Sequence, residues 1–309
     1  MTKEAYMKAF EDKWSCIHEG CFPESGVLRT GTSQRKPICE DVKLKNHACE
    51  LFLVTDGGPA HSGWFAPRET ASFLFDYLGE PLDQQVRNTV SCAQRDKKDS
   101  LGLVTKYVAA QMLVALEIAH NRVRTAAVTS PGFSGSFTTI SLVKLVGSRF
   151  FFTSIGNSRI YLVRRGGTLQ LITEDDSLLQ LHVREGRVSR EQAYEIDQSP
   201  NPRRLSAPLR QMMAHRGMLT RCVGIDSTDS HHETGVGFID LSSGDRFVIA
   251  SDGLSDQISE SEIEAILQSQ GSDERAEETL QKAAMEISMC GNHPRSTGDD
   301  ISVIVQTIH

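Results

Sequence analysis

The chain has 309 residues, of which 39% are hydrophobic and 24% charged, and its formal net charge is −7. Such a composition can build a packed core and does not read as a disordered chain. The negative balance argues against a protein that holds nucleic acid by broad phosphate neutralisation, and it suits one that collects cations on carboxylates.

Residues 1–26 read as an N-terminal extension, with a short helix and then a turn at Pro23 to Gly26. Lys3, Glu4 and Lys8 interrupt its first ten residues, so it does not read as a signal peptide. Residues 27–309 continue without a compositional break and read as one domain. Glu50 to Thr55 is a short apolar run that ends at Asp56-Gly57, the pattern of a buried strand feeding a turn. A helix is expected from Arg68 to Leu78. A longer one is expected from Ser100 to Arg124, where Val104, Val108, Met112, Ala115 and Ala119 recur on one face. Ser136 to Val146, Phe150 to Ile155, Arg159 to Val163 and Leu169 to Ile172 read as successive strands, rich in β-branched and aromatic residues.

Two short helices follow, Leu178 to Glu185 and Ser189 to Tyr194, with Gly186 as a stop and Ser189 with Gln192 as a capping box. They open an excursion over about 176–216 that carries Arg203, Arg204 and Arg210, candidates to meet an acidic phosphorylated substrate. Phe247 to Ser251 is a second apolar strand ending in Asp-Gly. Ser259 and Glu262 cap a helix through Gln268, Asp273 to Ser288 is another helix, and Ile301, Val303 and Val305 alternate in a last strand. Strands and helices come in blocks, which predicts an α+β fold, not a βαβ barrel.

The seven cysteines are odd in number and contain no Cys-x-x-Cys, so a disulfide framework or zinc ribbon is not expected and a reducing compartment is. No window approaches the ~20 apolar residues of a membrane helix. The expectation is a cytoplasmic protein with neither membrane nor nucleic acid as partner.

The chemistry-bearing feature is the placement of Asp41, Asp56, Asp252 and Asp299, each flanking an expected strand. A strand end presents its side chain at the rim of a sheet, and the glycine after Asp56 and after Asp252 lets the backbone turn there. Rims that meet would gather oxygen ligands of the kind hard cations such as Mg²⁺ and Mn²⁺ take. Taken singly, each Asp-Gly is also an ordinary turn, and spacing alone does not bring the four together.

The order of motifs resembles the metal-dependent protein phosphatases of the 2C type, in their bacterial branch. The resemblance runs through Glu40-Asp41, Asp56-Gly57 with His61 and Gly63, Gly135 to Thr139, Ile155 to Arg159, and Thr173 to Ser177. It continues through Val183 to Val188, Leu219 to Arg221 with Val223-Gly224, Gly244 to Arg246, Ser251 to Asp256, and Gly298 to Val303. It implies a central antiparallel β-sandwich flanked by antiparallel helices, a four-layer αββα stack. It also implies hydrolysis of phosphoserine and phosphothreonine monoesters in proteins, by a water activated between two Mn²⁺ or Mg²⁺ ions. Asp56 would bridge the pair, the Gly57 carbonyl would join one ion, and Asp252 and Asp299 would hold the other. Glu40 and Asp41 would act mainly through bound waters, and a phosphorylated protein would be the partner.

The chain departs from the family pattern at several positions. The phosphate-gripping arginine is replaced by Lys36 with Arg35 beside it, and lysine cannot make a bidentate clamp. Asn157 stands where an aspartate helps Asp256 hold a third, weaker metal; a neutral amide is a poorer ligand, so third-metal binding is expected to be weak or absent. Pro59 and Ala60 replace glycines, and Asp176 replaces a histidine in what reads as a surface change. His61 reads as structural. These departures leave open an alternative, a weak or inactive relative that binds phosphoproteins as a regulatory module. A two-metal nuclease or phosphodiesterase shares the chemistry but lacks a basic groove in the sequence.

Overall fold

The computed structural model describes residues 39–58, 62–95, 99–227, 234–290 and 292–309. Among the described residues, a five-stranded antiparallel sheet has the order β1 (Val42–Asn46), β2 (Leu51–Thr55), β5 (Ile140–Val146), β6 (Arg149–Ile155), β9 (Gly237–Asp240). A four-stranded antiparallel sheet has the order β11 (Val303–Thr307), β10 (Arg246–Ala250), β7 (Arg159–Val163), β8 (Leu169–Leu171). A third pairing joins β3 (Gly57–Gly58) to β4 (Phe137–Thr138). This is the mixed helix and antiparallel-sheet architecture expected from the sequence.

The period-two geometry of the strands sorts their side chains into separate cores. On β2, Leu51 and Leu53 face a helical layer, while Phe52 and Val54 face the other sheet. On β10, Phe247 and Ile249 meet Phe52 and Val54, while Val248 and Ala250 face a second helical layer. Strands buried on both faces read as unbroken apolar runs, which is why LFLV and FVIA carry no polar alternation. Phe52, Phe150 and Phe247 make edge-on contacts at ring separations of 5.1 to 5.3 Å between the sheets.

Helices α1 (Phe65–Leu78), α2 (Glu80–Arg95) and α3 (Ser100–Thr129) cover the five-stranded sheet. The expected stripe Val104, Val108, Met112, Ala115 and Ala119 is buried. By length and composition, α3 is apolar enough to cross a membrane, contrary to the expectation that no window approaches this. Here its buried stripe packs into the core beneath the sheet, and 33% of its most apolar window is buried. Sequence patterning missed α2, whose residues are mostly polar and which buries Leu82, Val86 and Ala93. It is held partly by an ion pair from the fully buried Lys144 of β5 to Asp83, 2.6 Å.

The four-stranded sheet is covered by α8 (Glu260–Ser269) and α9 (Asp273–Met289), reached after the single turn α7 (Asp252–Ser255). Ser259 and Glu262 form the expected capping box of α8. The 176–216 stretch holds α4 (Leu178–Arg184), α5 (Arg190–Gln198) and α6 (Ala207–Met212) around a small core of Leu179, Val188, Ile196 and Leu205. The expected capping box of Ser189 and Gln192 starts α5, and Gly186 takes φ +72°, as a helix stop requires. Arg203, Arg204 and Arg210 are exposed.

Phe247 lies fully buried in the core between the sheets. Phe247→Ala is expected to lower unfolding free energy by about 3–5 kcal/mol through the lost transfer energy and the cavity left behind. Urea denaturation of the apo protein measures it.

Candidate metal centre

The four aspartates singled out in the sequence sit where the two sheets meet at one rim. Asp56 occupies the step between β2 and β3, Asp41 precedes β1, Asp252 opens α7 after β10, and Asp299 precedes β11. One carboxylate oxygen from each of Asp56, Asp252 and Asp299 lies within 4.8 Å of the others. Asp41 joins them, its carboxyl neighbouring that of Asp56.

The backbone around each carboxylate is tied down. The carbonyl of Asp56 accepts from Thr139 N at 2.7 Å and Thr138 Oγ1 at 2.9 Å, and Asp56 N donates to Thr139 Oγ1 at 3.1 Å. The expected strand from Ser136 to Val146 therefore breaks at Thr139, between β4 and β5, to make this clasp. Ser251 Oγ donates to Asp41 Oδ2 at 2.8 Å and accepts from Ser302 N at 3.0 Å, which joins the β1, β10 and β11 ends. Glu40 is buried, and its amide donates to Asp300 Oδ2 at 2.8 Å. Glycine is required by close approach at two points. A Cβ on Gly57 would lie 2.0 Å from the Gly63 carbonyl oxygen, and one on Gly253 would lie 1.8 Å from that of Asp300.

The electrostatics of the cluster are unfavourable as they stand. Burial, then the charges of Asp41, Asp252 and Asp299, push the Asp56 carboxyl well above the usual carboxylate range. Burial, then Asp299 and Asp256, do the same to Asp252. Asp41 is pushed up to about 7 by burial and by Asp300 and Asp299. In addition, Oδ1 of Asp41 and Oδ1 of Asp252 are buried with no hydrogen-bond partner, and an unmet buried acceptor costs about 1–3 kcal/mol. Divalent cations would relieve both the repulsion and the unmet acceptors, and an all-oxygen donor set is the kind that Mg²⁺ and Mn²⁺ take. The residues present fit such ions.

The two positions that the family pattern gives to a third, weaker metal, where weak or no binding is expected, are engaged by the protein itself. Asn157 is buried and turns its amide to Asp252, with Nδ2 donating to Oδ2 at 2.7 Å. Asp256 already holds a cation: Arg216 Nη2 reaches its Oδ1 at 2.7 Å while Arg216 Nε reaches Asp197 at 2.9 Å. Arg159 pairs with Asp197 at 2.9 Å and Asp175 at 2.7 Å, so a run of buried charges ties the 176–216 stretch to the site. Burial opposes the charge on Asp197, but Arg159 and Arg216 outweigh it and hold its carboxyl well below the usual range. Sequence reasoning missed Arg216, and nothing at 40 residues' separation marks it as the partner of Asp256.

One further expectation is corrected. Asp176, read as a surface change, is fully buried; it pairs with Arg221 at 3.0 Å and accepts from Gly156 N at 2.9 Å. Its short carboxylate fixes the loop before β7. Arg35, Lys36, Pro59, Ala60 and His61 lie outside the described residues, as does the 1–26 extension.

A cleft of about 340 Å³ opens over the cluster, walled by Phe137, Thr139, Thr220, Arg221 and Ile225. Its volume accommodates a phosphoryl group with part of a polypeptide.

Asn157→Asp sets a carboxylate where an amide now donates to Asp252. Without metal the variant is expected to lose about 1–3 kcal/mol of stability from the lost hydrogen bond and added repulsion. Saturating Mn²⁺ should restore most of it. Thermal unfolding with and without Mn²⁺ reads both effects, and an unchanged apo stability would contradict the role given to the amide.

No family model matches the sequence. The chain is 30% identical over 178 residues to the serine/threonine protein phosphatase PstP of Mycobacterium tuberculosis, covering 58% of this chain and 29% of PstP. It is 35% identical over 155 residues to a Streptococcus pyogenes protein named for the 2C-type protein phosphatases, covering 50% of this chain and 54% of that one. The chain thus spans under a third to about half of the length of these curated relatives. A crystal structure of M. tuberculosis PstP superposes with a TM-score of 0.64 at 23% identity, covering 94% of this chain and 97% of that one. The PstP catalytic domain in complex with two manganese ions superposes at 0.55 and 22%, covering 93% and 94%. Over about half its length this chain is similar in sequence to bacterial proteins named as serine/threonine or 2C-type protein phosphatases, and over nearly all of its length it shares the fold of the PstP structures.

Proposed function

We propose that the protein is a metal-dependent serine/threonine protein phosphatase that hydrolyses phosphoserine and phosphothreonine monoesters in a phosphorylated protein partner. The observation that carries this reading is the meeting of Asp56, Asp252 and Asp299, drawn from three distant parts of the chain, beneath an open cleft. The manganese complex of PstP, a protein of the same fold, supports two Mn²⁺ or Mg²⁺ ions as the cofactors.

Asp56, Asp252, Asp299 and the Gly57 carbonyl would hold the ions, with Asp41 and Glu40 acting behind them. Such ions supply Lewis acidity toward the phosphoryl oxygens and a water acidic enough to serve as nucleophile near neutral pH. The chain's own residues provide preorganisation. The Thr138–Thr139 clasp fixes Asp56, Ser251 fixes Asp41, and Asn157 fixes the rotamer of Asp252, so little reorganisation is left for the reaction. Lys36 or Arg35 is proposed as the phosphate grip on sequence alone.

Residues 27–309 would be the catalytic domain, with 1–26 as an extension and 176–216 as a flap-like excursion. A cytoplasmic, reducing setting is in keeping with Cys39, Cys49, Cys92, Cys222 and Cys290, all free thiols. A second reading, a slow enzyme serving mainly as a phosphoprotein-binding module, is favoured by the pairing of Asp256 with Arg216 and by Asn157.

The test is phosphate release from a phosphothreonine peptide, together with p-nitrophenyl phosphate hydrolysis, in Mn²⁺, in Mg²⁺ and in chelator. The expected result is metal-dependent hydrolysis of both that chelator abolishes and that Asp252→Asn lowers by at least about 100-fold, the size of loss seen when one charge-stabilising group is removed. Metal binding without release favours the binding module, and cleavage of phosphodiesters alone overturns the phosphatase reading.

A further inference from the structure

The catalytic cleft does not end at the carboxylates. Beyond Ile225 a second hollow, of about 270 Å³, lies between α3 and the 221–227 segment, and it shares Arg221, Cys222 and Ile225 with the cleft. Its floor is apolar: Leu113, Leu116 and Ile155 line it together with Ile225. Leu116 and Ile155 are buried, whereas Leu113 and Ile225 are 39% and 42% exposed. Leu113, Leu116, Glu117 and His120 fall at i, i+3, i+4 and i+7, one face of α3, and the exposed Glu117 gives the rim a negative charge.

The wall of this groove is built rigidly. Gly224 N donates to His120 Nδ1 at 3.2 Å, and Asp226 pairs with Arg124 at 2.9 Å. Val223 exchanges backbone hydrogen bonds of 2.8 and 3.1 Å with Thr138, the residue that also clasps Asp56. Gly224 sits at φ +103° with no room for a Cβ, which would lie 2.5 Å from Val123 Cγ1. The segment therefore lies flat on α3 through backbone and ion-pair contacts, and the hollow beside it is preformed. A preformed slot lowers the ordering cost of binding.

We propose that the groove is the specificity pocket of the phosphatase, and that its occupant is a large aliphatic or aromatic side chain of the substrate. That residue lies within three positions of the phosphorylated one and has a lysine or arginine beside it. The inference rests on the phosphatase reading and deepens it. The hollow adjoins the cleft across the shared wall of Arg221, Cys222 and Ile225, and an extended polypeptide advances about 3.3 Å per residue, so a residue a few positions from the phosphorylated one is the kind that enters it. The apolar floor supplies affinity for the side chain, and Glu117 at the rim supplies charge complementarity for a basic neighbour.

The experiment compares kcat/KM in Mn²⁺ for phosphothreonine peptides that differ only in carrying leucine or serine at each position from three before to three after the phosphothreonine. p-Nitrophenyl phosphate is run in parallel. At one position leucine is expected to be preferred by about ten-fold or more, the discrimination a hydrophobic pocket gives. Leu113→Glu should bring that ratio close to one, and Leu113→Met should keep it. Because the readout is a ratio within one enzyme, a general loss of activity does not imitate it. Hydrolysis of p-nitrophenyl phosphate with no leucine preference at any position overturns the groove and leaves the phosphatase reading standing. A preference that survives Leu113→Glu also overturns it. Failure of the folded protein to hydrolyse p-nitrophenyl phosphate or any peptide overturns both.

Discussion

Repulsion among closely gathered, largely desolvated carboxylates is the constraint around which the rest of the molecule is organised. Asp41, Asp56, Asp252 and Asp299 are brought together from both sheets, and burial and neighbouring charge penalise ionisation of Asp41, Asp56 and Asp252. A fold does not retain such a cluster for stability; replacing it with well-packed apolar residues would serve better. The cluster makes sense when the repulsion is relieved by cations, as the proposed function requires. The double-sheet architecture supplies the means, because two twisted antiparallel sheets packed face to face bring the ends of unrelated strands to one rim.

The immediate surroundings refine that arrangement in a way particular to this chain. Asn157 offers a hydrogen-bond donor to Asp252, and Arg216 sets a guanidinium on Asp256. Both supply positive or donor character from the protein itself beside the cluster. Arg216 also joins the run through Asp197 to Arg159 at the start of β7, so the position of the 176–216 excursion and the electrostatics of the site are linked. Removing one partner from such a buried run leaves an uncompensated charge, which is costlier than never having had the pair.

Much of this was legible in the sequence, for identifiable reasons. Strands buried on both faces print as apolar runs, and LFLV and FVIA ending in Asp-Gly marked both a strand and its rim. Capping boxes at Ser189 and Ser259 are local chemistry and were readable as such. Helix α2 was not, because it buries a narrow stripe on an otherwise polar surface and leans on the tertiary ion pair of Lys144 and Asp83. The convergence of the aspartates needed the resemblance to a known family, since residues 56, 252 and 299 share no local pattern. Asp176 misled because a charged residue in a loop reads as exposed unless its partner, here Arg221, 45 residues on, is known. Asn157 was legible as a poor ligand for a third ion, but the guanidinium of Arg216 on Asp256 and the carboxylate of Asp252 beside Asn157 were not, because they come from elsewhere in the chain.

The most direct measurement of the central claim is calorimetric titration of Mn²⁺ into metal-free, folded protein, repeated on Asp56→Asn. The account predicts uptake of two ions per chain, accompanied by a rise in Tm, with at least one ion lost in the variant. Absence of Mn²⁺ uptake by well-folded protein, or uptake unaltered by Asp56→Asn, would contradict it.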